Sequence, residues 1–333
     1  MSTRSATAAD PSPDADPSAP RFVQLHREDR DAVRAELADG LVRPDARIAP
    51  KHFYDALGSR LFDAITELTE YYPTRTEAAI FAEHGAAIAA ALGRVETFVD
   101  LGAGNCAKAD ALLPRLAPRR YVAVDISVDY LRESLVRMAG RHPGVTMVGV
   151  GTDFSRELAL PPEAGDGPRT MFYPGSSIGN FLPHEAVDFL CQVRAAARGG
   201  PLLIGVDLVK PASILLDAYD DPLGVTAAFN LNVLRHVNAL LGSDFDVRHW
   251  RHLARVDADR GGCVTMHLQA RHALQVRWPG RTRGFAEGEC IHTEDSHKYT
   301  VDGFAALLGE AGWSRQACWT DPRGWFAVFV AQA

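Results

Sequence analysis

From Thr97 to Leu208 the chain alternates between two hydrophobic patterns. Short, strand-like apolar stretches occur at Phe98–Val99, Tyr121–Val124, Val145–Val150, Arg169–Tyr173 and Pro201–Leu208. Between them lie segments with apolar residues at helical spacing. One is an alanine-rich stretch after Gly104, one is Val128–Ala139 with Tyr130, Leu131, Leu135 and Met138 on one side, and one is Pro183–Ala197. Strands that lack polar alternation are buried on both faces, so the pattern predicts a parallel sheet covered by helices on each side, a doubly wound α/β fold.

The flanks follow other patterns. Residues 1 to about 20 are rich in Ser, Ala, Asp and Pro without apolar periodicity, which predicts a disordered tail. A charged helical pattern runs from Arg27 to Leu37, and Lys51–Tyr72 places Phe53, Leu57, Leu61 and Ile65 at helical spacing around Gly58. Pro73 and Thr74 open a further helix, with Thr74 and Glu77 in the capping-box spacing and Ala78–Leu92 continuing it. After Lys210 the alternation stops. Residues 211–241 read as helical, and Gly262–Gln269 and Ala273–Trp278 read as an antiparallel pair punctuated by Pro279-Gly280. A helix over Val301–Gly312 and two closing strands, Gln316–Trp319 and Trp325–Ala331, resume the first architecture. The expected organisation is a tail (1–20), a composite substrate domain (21–74 plus 211–292) and a cofactor-binding core (75–210 plus 293–333).

At the first βα junction a strand ends at Asp100 and runs into Leu101, Gly102, Ala103 and Gly104 before the alanine-rich helix. Glycines there let the chain turn tightly and let a ligand approach the backbone. Asp125 ends the next strand, 21 residues after Gly104, where an acid can reach a ribose diol. Two ribose-bearing cofactors stay open. Gly102-x-Gly104-x-x-Ala107 satisfies the loose dinucleotide fingerprint. An acid two residues before the first glycine, however, is unfavourable for a pyrophosphate at the helix start and suits the cationic methionine end of S-adenosylmethionine. The stretch resembles the D-x-G-x-G motif of class I methyltransferases, whose sheet also requires the terminal helix and strand hairpin.

Charge and cysteine usage narrow the class. A net charge of −7 without a Lys/Arg cluster argues against a nucleic-acid binder or a polyanionic substrate. Five scattered cysteines (Cys106, Cys191, Cys263, Cys290, Cys318) form no C-x-x-C and read as buried thiols in a reducing compartment. No apolar run of about 18 residues and no signal-peptide pattern is present, so a cytoplasmic protein without a membrane partner is expected. His249-x-x-His252 lacks a third ligand nearby and reads as two polar surface residues, so no metal is expected.

Further stretches then occur in order: Phe53-Tyr54-Asp55 with Gly58-Ser59 and Leu61-Phe62; Glu70-Tyr71-Tyr72-Pro73-Thr74-Arg75; Pro174-Gly175-Ser176-Ser177-Ile178-Gly179-Asn180-Phe181; Asp207-Leu208-Val209-Lys210 with Ala218-Tyr219-Asp220-Asp221; Met266-His267-Leu268; and Ile291-His292-Thr293-Glu294-Asp295-Ser296-His297-Lys298-Tyr299. Together they resemble the histidine-specific methyltransferase family of ergothioneine biosynthesis, across nearly all of the chain after residue 50. The resemblance implies a class I S-adenosylmethionine-dependent methyltransferase with a Rossmann-like sheet and a composite substrate domain. Its implied reaction is three successive methyl transfers to the α-amine of L-histidine, giving hercynine.

The resemblance also implies residue roles. Asp125 would take the cofactor's ribose hydroxyls, Asp153 the adenine amino group with Phe154 beside it, and the Gly102 loop with Lys108 the methionine end. Asn180, in the turn that begins at Gly175, and Tyr219 would grip the substrate carboxylate as neutral donors. Glu294 and Ser296 would read the imidazole; at i, i+2 on an extended segment they share a face, and a carboxylate and a hydroxyl can serve both ring nitrogens. Met266 would form an apolar wall. Tyr54 and Tyr71 would close near the amine and, directly or through water, carry its proton away. Asp295 is grouped with the substrate set by position; on an extended strand it would point away, and its charge would raise the pKa of Glu294. The expected partner is histidine with its mono- and dimethyl forms, met by a monomer. The alternatives are Nα-methylation of another amino acid such as tryptophan, or a ligand-binding relative without turnover.

Overall fold

The computed structural model describes residues 19–25, 29–126, 128–154 and 157–333. The expected tail lies outside these residues except for its last two positions.

The first described strand is β1 (Arg21–Gln24), followed by helices α1 (Arg30–Val42), α2 (Ala56–Thr66) and α3 (Tyr72–Leu92). The alternating part runs β2 (Thr97–Leu101), α4 (Ala107–Leu116), β3 (Arg120–Asp125), α5 (Val128–Arg141), β4 (Thr146–Gly151), β5 (Thr170–Tyr173), α6 (Pro183–Ala197) and β6 (Leu202–Asp207). Helices α7 (Ala212–Tyr219) and α8 (Val225–Leu241) lead to β7 (Trp250–Asp257), β8 (Cys263–Ala270), β9 (Leu274–Trp278), β10 (Arg281–Phe285) and β11 (Cys290–Ser296). The chain closes with α9 (Val301–Glu310), β12 (Ser314–Thr320) and β13 (Phe326–Gln332).

Eight strands form one sheet in the order β1-β4-β3-β2-β5-β6-β13-β12. Pairings from β1 through β6 are parallel, and β13 runs antiparallel to both β6 and β12. From β2 the order proceeds one way through β3 and β4 and the other way through β5 and β6. A crevice therefore opens at the C-terminal ends of β2 and β5, the usual ligand position in an open α/β sheet. Successive residues of each strand serve opposite faces. Val99, Val122 and Met171 pack with Phe189 of α6 and Phe304 of α9, whereas Phe98, Tyr121 and Phe172 pack with Ile88 of α3, Leu112 of α4 and Leu135 of α5. This is the doubly wound class I methyltransferase sheet that the strand pattern and the resemblance imply.

A third core joins segments far apart in the chain. Leu37 and Leu41 of α1, Phe53, Ile65 of α2, Phe229 and Val233 of α8, Trp250 of β7 and Ile291 of β11 are buried together. The N-terminal helices and residues 211–292 thus share one hydrophobic interior, against a three-stranded sheet in the order β11-β8-β7.

Four sequence expectations need correction. Residues 21–24 belong to the large sheet, not to the substrate unit: β1 pairs with β4, and Phe22 packs so closely on Gly149 that a Cβ there would lie 2.7 Å from its ring. A strand of four residues is too short to display a period. Gly262–Gln269 and Ala273–Trp278 do not pair with each other; β8 is the centre of the three-stranded sheet, and β9 pairs with β10 across Pro279-Gly280. The five cysteines are not all buried thiols: Cys106 and Cys263 are buried, whereas Cys191 and Cys318 are exposed. Finally, α3 begins at Tyr72 without a side-chain cap, and Glu77, expected to complete a capping box with Thr74, is wholly buried in an ion pair instead.

Candidate functional site

The residues assigned to the cofactor converge at the C-terminal ends of adjacent strands. Gly102 and Gly104 follow β2, Asp125 ends β3, and Asp153 and Phe154 follow β4. Gly102 and Gly104 have φ of +72° and +51°, values that L side chains rarely adopt. A Cβ on Gly102 would lie 3.7 Å from the Phe154 ring, so the glycine and the aromatic flank one space. Asp125 accepts the Gly104 N–H at 2.9 Å, which locks the loop to the acid.

The same loop binds several of its own amides. The amides of Gly102 and Ala103 both donate to the Val124 carbonyl, Gly104 donates to Asp125, Cys106 to the Ala103 carbonyl and Ala107 to the Asn105 side chain. These N–H groups are used within the loop, and the acid Asp100 beneath it disfavours a pyrophosphate at the helix start. The cationic methionine end of S-adenosylmethionine fits a loop seated over this acid. Asp100 is buried, accepts from the Tyr121 hydroxyl at 2.7 Å, and its other oxygen has no partner among the described residues. Burial pushes its pKa up to about 7.

Two side chains of the N-terminal segment reach the residues assigned to the cofactor and the loop beside them. Lys51 lies 2.8 Å from Glu36 and 3.5 Å from Asp153, and Asp63 of α2 accepts from Asn105 in the glycine loop at 3.0 Å. Lys108, on the first turn of α4, is paired with Glu77 at 2.6 Å and approaches Gly175, where a Cβ would meet its ammonium at 2.8 Å. It thus stands between the loops that follow β2 and β5.

Beside this space a cavity is lined by Tyr54, Tyr71, Gly175, Asn180, Tyr219, Met266, Glu294 and Ser296, eight of the nine positions grouped with the substrate. Asn180 ends the turn Ser177–Asn180 after β5, which Gly175 and Ser176 enter with φ of +76° and +62°. The His297 amide donates to the Gly179 carbonyl at 2.7 Å, and a Cβ on Gly179 would lie 2.7 Å from the His297 oxygen. Only glycine allows this approach, which holds Asn180 beside the end of β11. Glu294 and Ser296 alternate along β11 as an extended strand requires, opposite Met266 and Val264 of β8.

Asp295 does not line the cavity, a correction to its grouping with the substrate residues. It is held by Arg260 at 2.9 Å and His292 at 3.3 Å. Although burial opposes it, hydrogen bonds from His292 and Arg260 drive its pKa well below the usual carboxylate value. Glu294 goes the other way: burial raises it to about 7, Lys298 opposes the rise, and Asp295 adds to it. The expected influence of Asp295 on Glu294 is present, but desolvation is the larger cause.

Burial also raises the phenols of Tyr54 and Tyr71 above their ordinary value, with nearby Glu294 adding to it. Both rings belong to an aromatic cluster. Tyr54 lies edge-on to Phe62 and Phe229 (5.8 and 5.9 Å between ring centres), Phe62 to Tyr71 (6.2 Å), and Tyr71 to Tyr219 (6.4 Å). Phe229 and Thr226 of α8 line the cavity and were missed in the sequence, because an apolar helix face reads as core. The Thr226 side-chain oxygen is buried with no partner among the described residues. Lys298, also without an assigned role, is buried against Tyr219 and Ser296. The pair His249 and His252 separates: His252 is buried and bonded to Asn230 and the Tyr219 carbonyl, whereas His249 meets His272 at the surface. Among the described residues no group of three or more His, Cys, Asp or Glu could hold a metal, and no helix is long and apolar enough to cross a membrane.

Comparison with known proteins gives a consistent result. The profile of a family described as histidine-specific, SAM-dependent methyltransferases matches residues 33–333. A histidine N-alpha-methyltransferase of Mycolicibacterium smegmatis is 40% identical over 308 residues, covering 90% of this chain and 95% of that protein. One of Mycobacterium tuberculosis is 39% identical over 307 residues, covering 90% and 94%. A 4-dimethylallyltryptophan N-methyltransferase of Claviceps purpurea is 28% identical over 236 residues, covering 65% and 66%.

Proposed function

The chain belongs to the histidine-specific, S-adenosylmethionine-dependent methyltransferase family, and from that premise we propose that it methylates the α-nitrogen of L-histidine three times to give hercynine. The observation that carries this reading is the cavity wall, which combines a buried carboxylate and hydroxyl (Glu294, Ser296), neutral donors (Asn180, Tyr219) and an aromatic cluster (Tyr54, Phe62, Tyr71, Phe229). These match the three parts of histidine: imidazole, carboxylate and amine.

When bound, S-adenosylmethionine supplies a methyl group on a sulfonium cation. In the proposed assignment Asp125, Asp153, Phe154, Lys108 and the Gly102 loop hold it, and the chain's remaining task is alignment and exclusion of water. Asn180 and Tyr219 fix the carboxylate, Glu294 and Ser296 fix the ring, and the amine is thereby directed to the boundary between the two ligand spaces. A peptide α-amine has a pKa of about 7.7–8.0, and the carboxylate of a free amino acid raises it further, so histidine arrives mostly as an ammonium that must lose a proton before it can attack. Tyr54 and Tyr71, with raised pKa values, stay protonated and act through their oxygen lone pairs, accepting an amine N–H or holding the water that takes the proton. Each of the first two transfers leaves an ammonium that must lose a proton before the next, whereas the third gives a fixed cation. Aromatic ring faces stabilise quaternary ammonium groups, which suits a site that must admit the trimethylated product.

The composite organisation is part of the proposal, with residues 75–210 and 293–333 serving the cofactor, and 25–74 and 211–292 the substrate. The shared interior of α1, α2, α8 and β7 supports it. The proposal includes a working monomer. A second reading, methylation of an indole amino acid, draws on the Claviceps relative. It would bury Glu294 against an apolar ring that offers only one N–H. Turnover across a panel of histidine, histamine and tryptophan separates the two; a kcat/KM for tryptophan at or above that for histidine would reverse the assignment.

A further inference from the structure

Only four lysines occur in the chain (Lys51, Lys108, Lys210 and Lys298), and the Lys298 side chain is wholly inaccessible. Its ammonium lies 2.9 Å from Asp207, 2.9 Å from the Tyr219 hydroxyl and 2.8 Å from the Ser296 hydroxyl. A lysine ammonium has three donors and no acceptor, so these three partners use it completely. Asp207 is in turn held by Lys210 at 2.5 Å and by the Tyr72 hydroxyl at 2.6 Å, so the carboxylate is itself fixed. The Tyr219 and Ser296 oxygens are 2.8 Å apart and bonded to each other. Both line the substrate cavity.

From this geometry we infer that Lys298 is a positioning residue that dictates how the hydroxyls of Tyr219 and Ser296 present themselves to the substrate. Each hydroxyl owns one proton, and Lys298 occupies a lone pair on each. One of the two protons is used between the hydroxyls themselves, which leaves one O–H of the pair to donate to a ligand. A carboxylate beside Tyr219 accepts only, so it claims that proton from Tyr219. Ser296 then donates to Tyr219, and its remaining lone pair faces the cavity as an acceptor for a ring N–H. Every donor and acceptor in the group is then used once. Without the ammonium, both hydroxyls are free to rotate and the two ends of the ligand are no longer read together. Lys210 offers a contrast. It shares Asp207, but its other partner is the Leu208 carbonyl, and burial brings its pKa down to about 8, whereas Asp207 and Tyr219, against the effect of burial, keep Lys298 above the ordinary lysine value.

The inference rests on the histidine reading, and calorimetry distinguishes their failures. Histidine and histamine are titrated into wild type, Lys298→Met, Tyr219→Phe and the double variant. Lys298→Met should weaken histidine about tenfold or more, as loss of charge-assisted bonds does. It should weaken histamine less, leave S-adenosylmethionine affinity unchanged, and add far less in the Tyr219→Phe background than alone. A folded Lys298→Met enzyme with unchanged histidine affinity, or losses that multiply independently with Tyr219→Phe, would overturn the inference. If Lys298→Met does not fold, 15N-lysine labelling of wild type replaces it. Lys51→Arg, Lys108→Arg and Lys210→Arg variants assign three of the four ammonium signals, and the remaining one, Lys298, should shift on saturation with histidine. A signal that stays in place while calorimetry shows histidine bound would also overturn it. Wild type that binds no histidine would sink the substrate reading and this inference together.

Discussion

Glu77 and Lys108 form an ion pair of 2.6 Å in which the glutamate is wholly buried and the lysine partly exposed. The other carboxylate oxygen of Glu77 accepts the Gly175 amide at 2.9 Å, and a Cβ on Gly205 would come within 2.0 Å of it. One buried acid thus ties α3 to the first turn of α4 and to the turn that carries Asn180, linking the two ligand spaces. Glu77→Gln keeps the shape and removes the charge. Stability should fall by about 1–3 kcal/mol, below the range for breaking a fully buried pair, because Lys108 can reach water. S-adenosylmethionine binding should weaken as well. Chemical denaturation and calorimetry check both; two unchanged values would reduce the pair to packing.

Asp125 has two duties, since it holds the Gly104 amide and is assigned the ribose hydroxyls. Asp125→Ala should weaken S-adenosylmethionine by about tenfold or more, the effect of losing charge-assisted bonds of roughly 1.5–3 kcal/mol. An intact fold with unaltered cofactor affinity in calorimetry would remove Asp125 from the site.

Asn180→Ala and Tyr219→Phe should impair histidine binding and spare the cofactor. Histamine, which lacks the carboxylate, supplies the control. Equal losses for histidine and histamine would mean that neither residue holds the carboxylate.

Glu294 predicts a pH signature in the ligand-free protein. Its folded pKa is raised to about 7 from an ordinary 4.5, so the folded state retains a proton that the unfolded chain gives up first. Stability should therefore decline as pH rises from about 4.5 to about 7 and level off above, by up to about 3 kcal/mol for this group. Glu294→Gln should abolish that component. The difference in denaturation free energy between wild type and variant, measured from pH 5 to pH 8, should widen in favour of the variant; a difference independent of pH would show that Glu294 is solvated.

The parts legible in the sequence were those with redundant signals. Strands β2 to β6 announced themselves through unbroken apolar runs, and α6 begins and ends where its pattern does, at Pro183 and Ala197. The four-residue β1 and the irregular β7 offered no period to read. Glu77 showed the spacing of a helix cap and Lys298 no pattern of its own, because partners distant in sequence, Lys108 and Asp207, are what make their burial tolerable. Asp295 similarly turns on Arg260, in the loop between β7 and β8. Thr226 and Phe229 sit on a helix face whose pattern is the same whether it meets core or ligand. Composition alone would have left Glu294 and Ser296 in a polar loop; the resemblance, not the spacing, singled them out.

The central claim is methyl transfer to the α-nitrogen of histidine. Fragmentation mass spectrometry of the product formed from histidine and S-adenosylmethionine tests it most directly. The account predicts a trimethylated product with all three methyl groups on the α-nitrogen and an unmodified imidazole. Methyl groups on the ring, or no methylated histidine from an enzyme that turns over another amino acid, would contradict it.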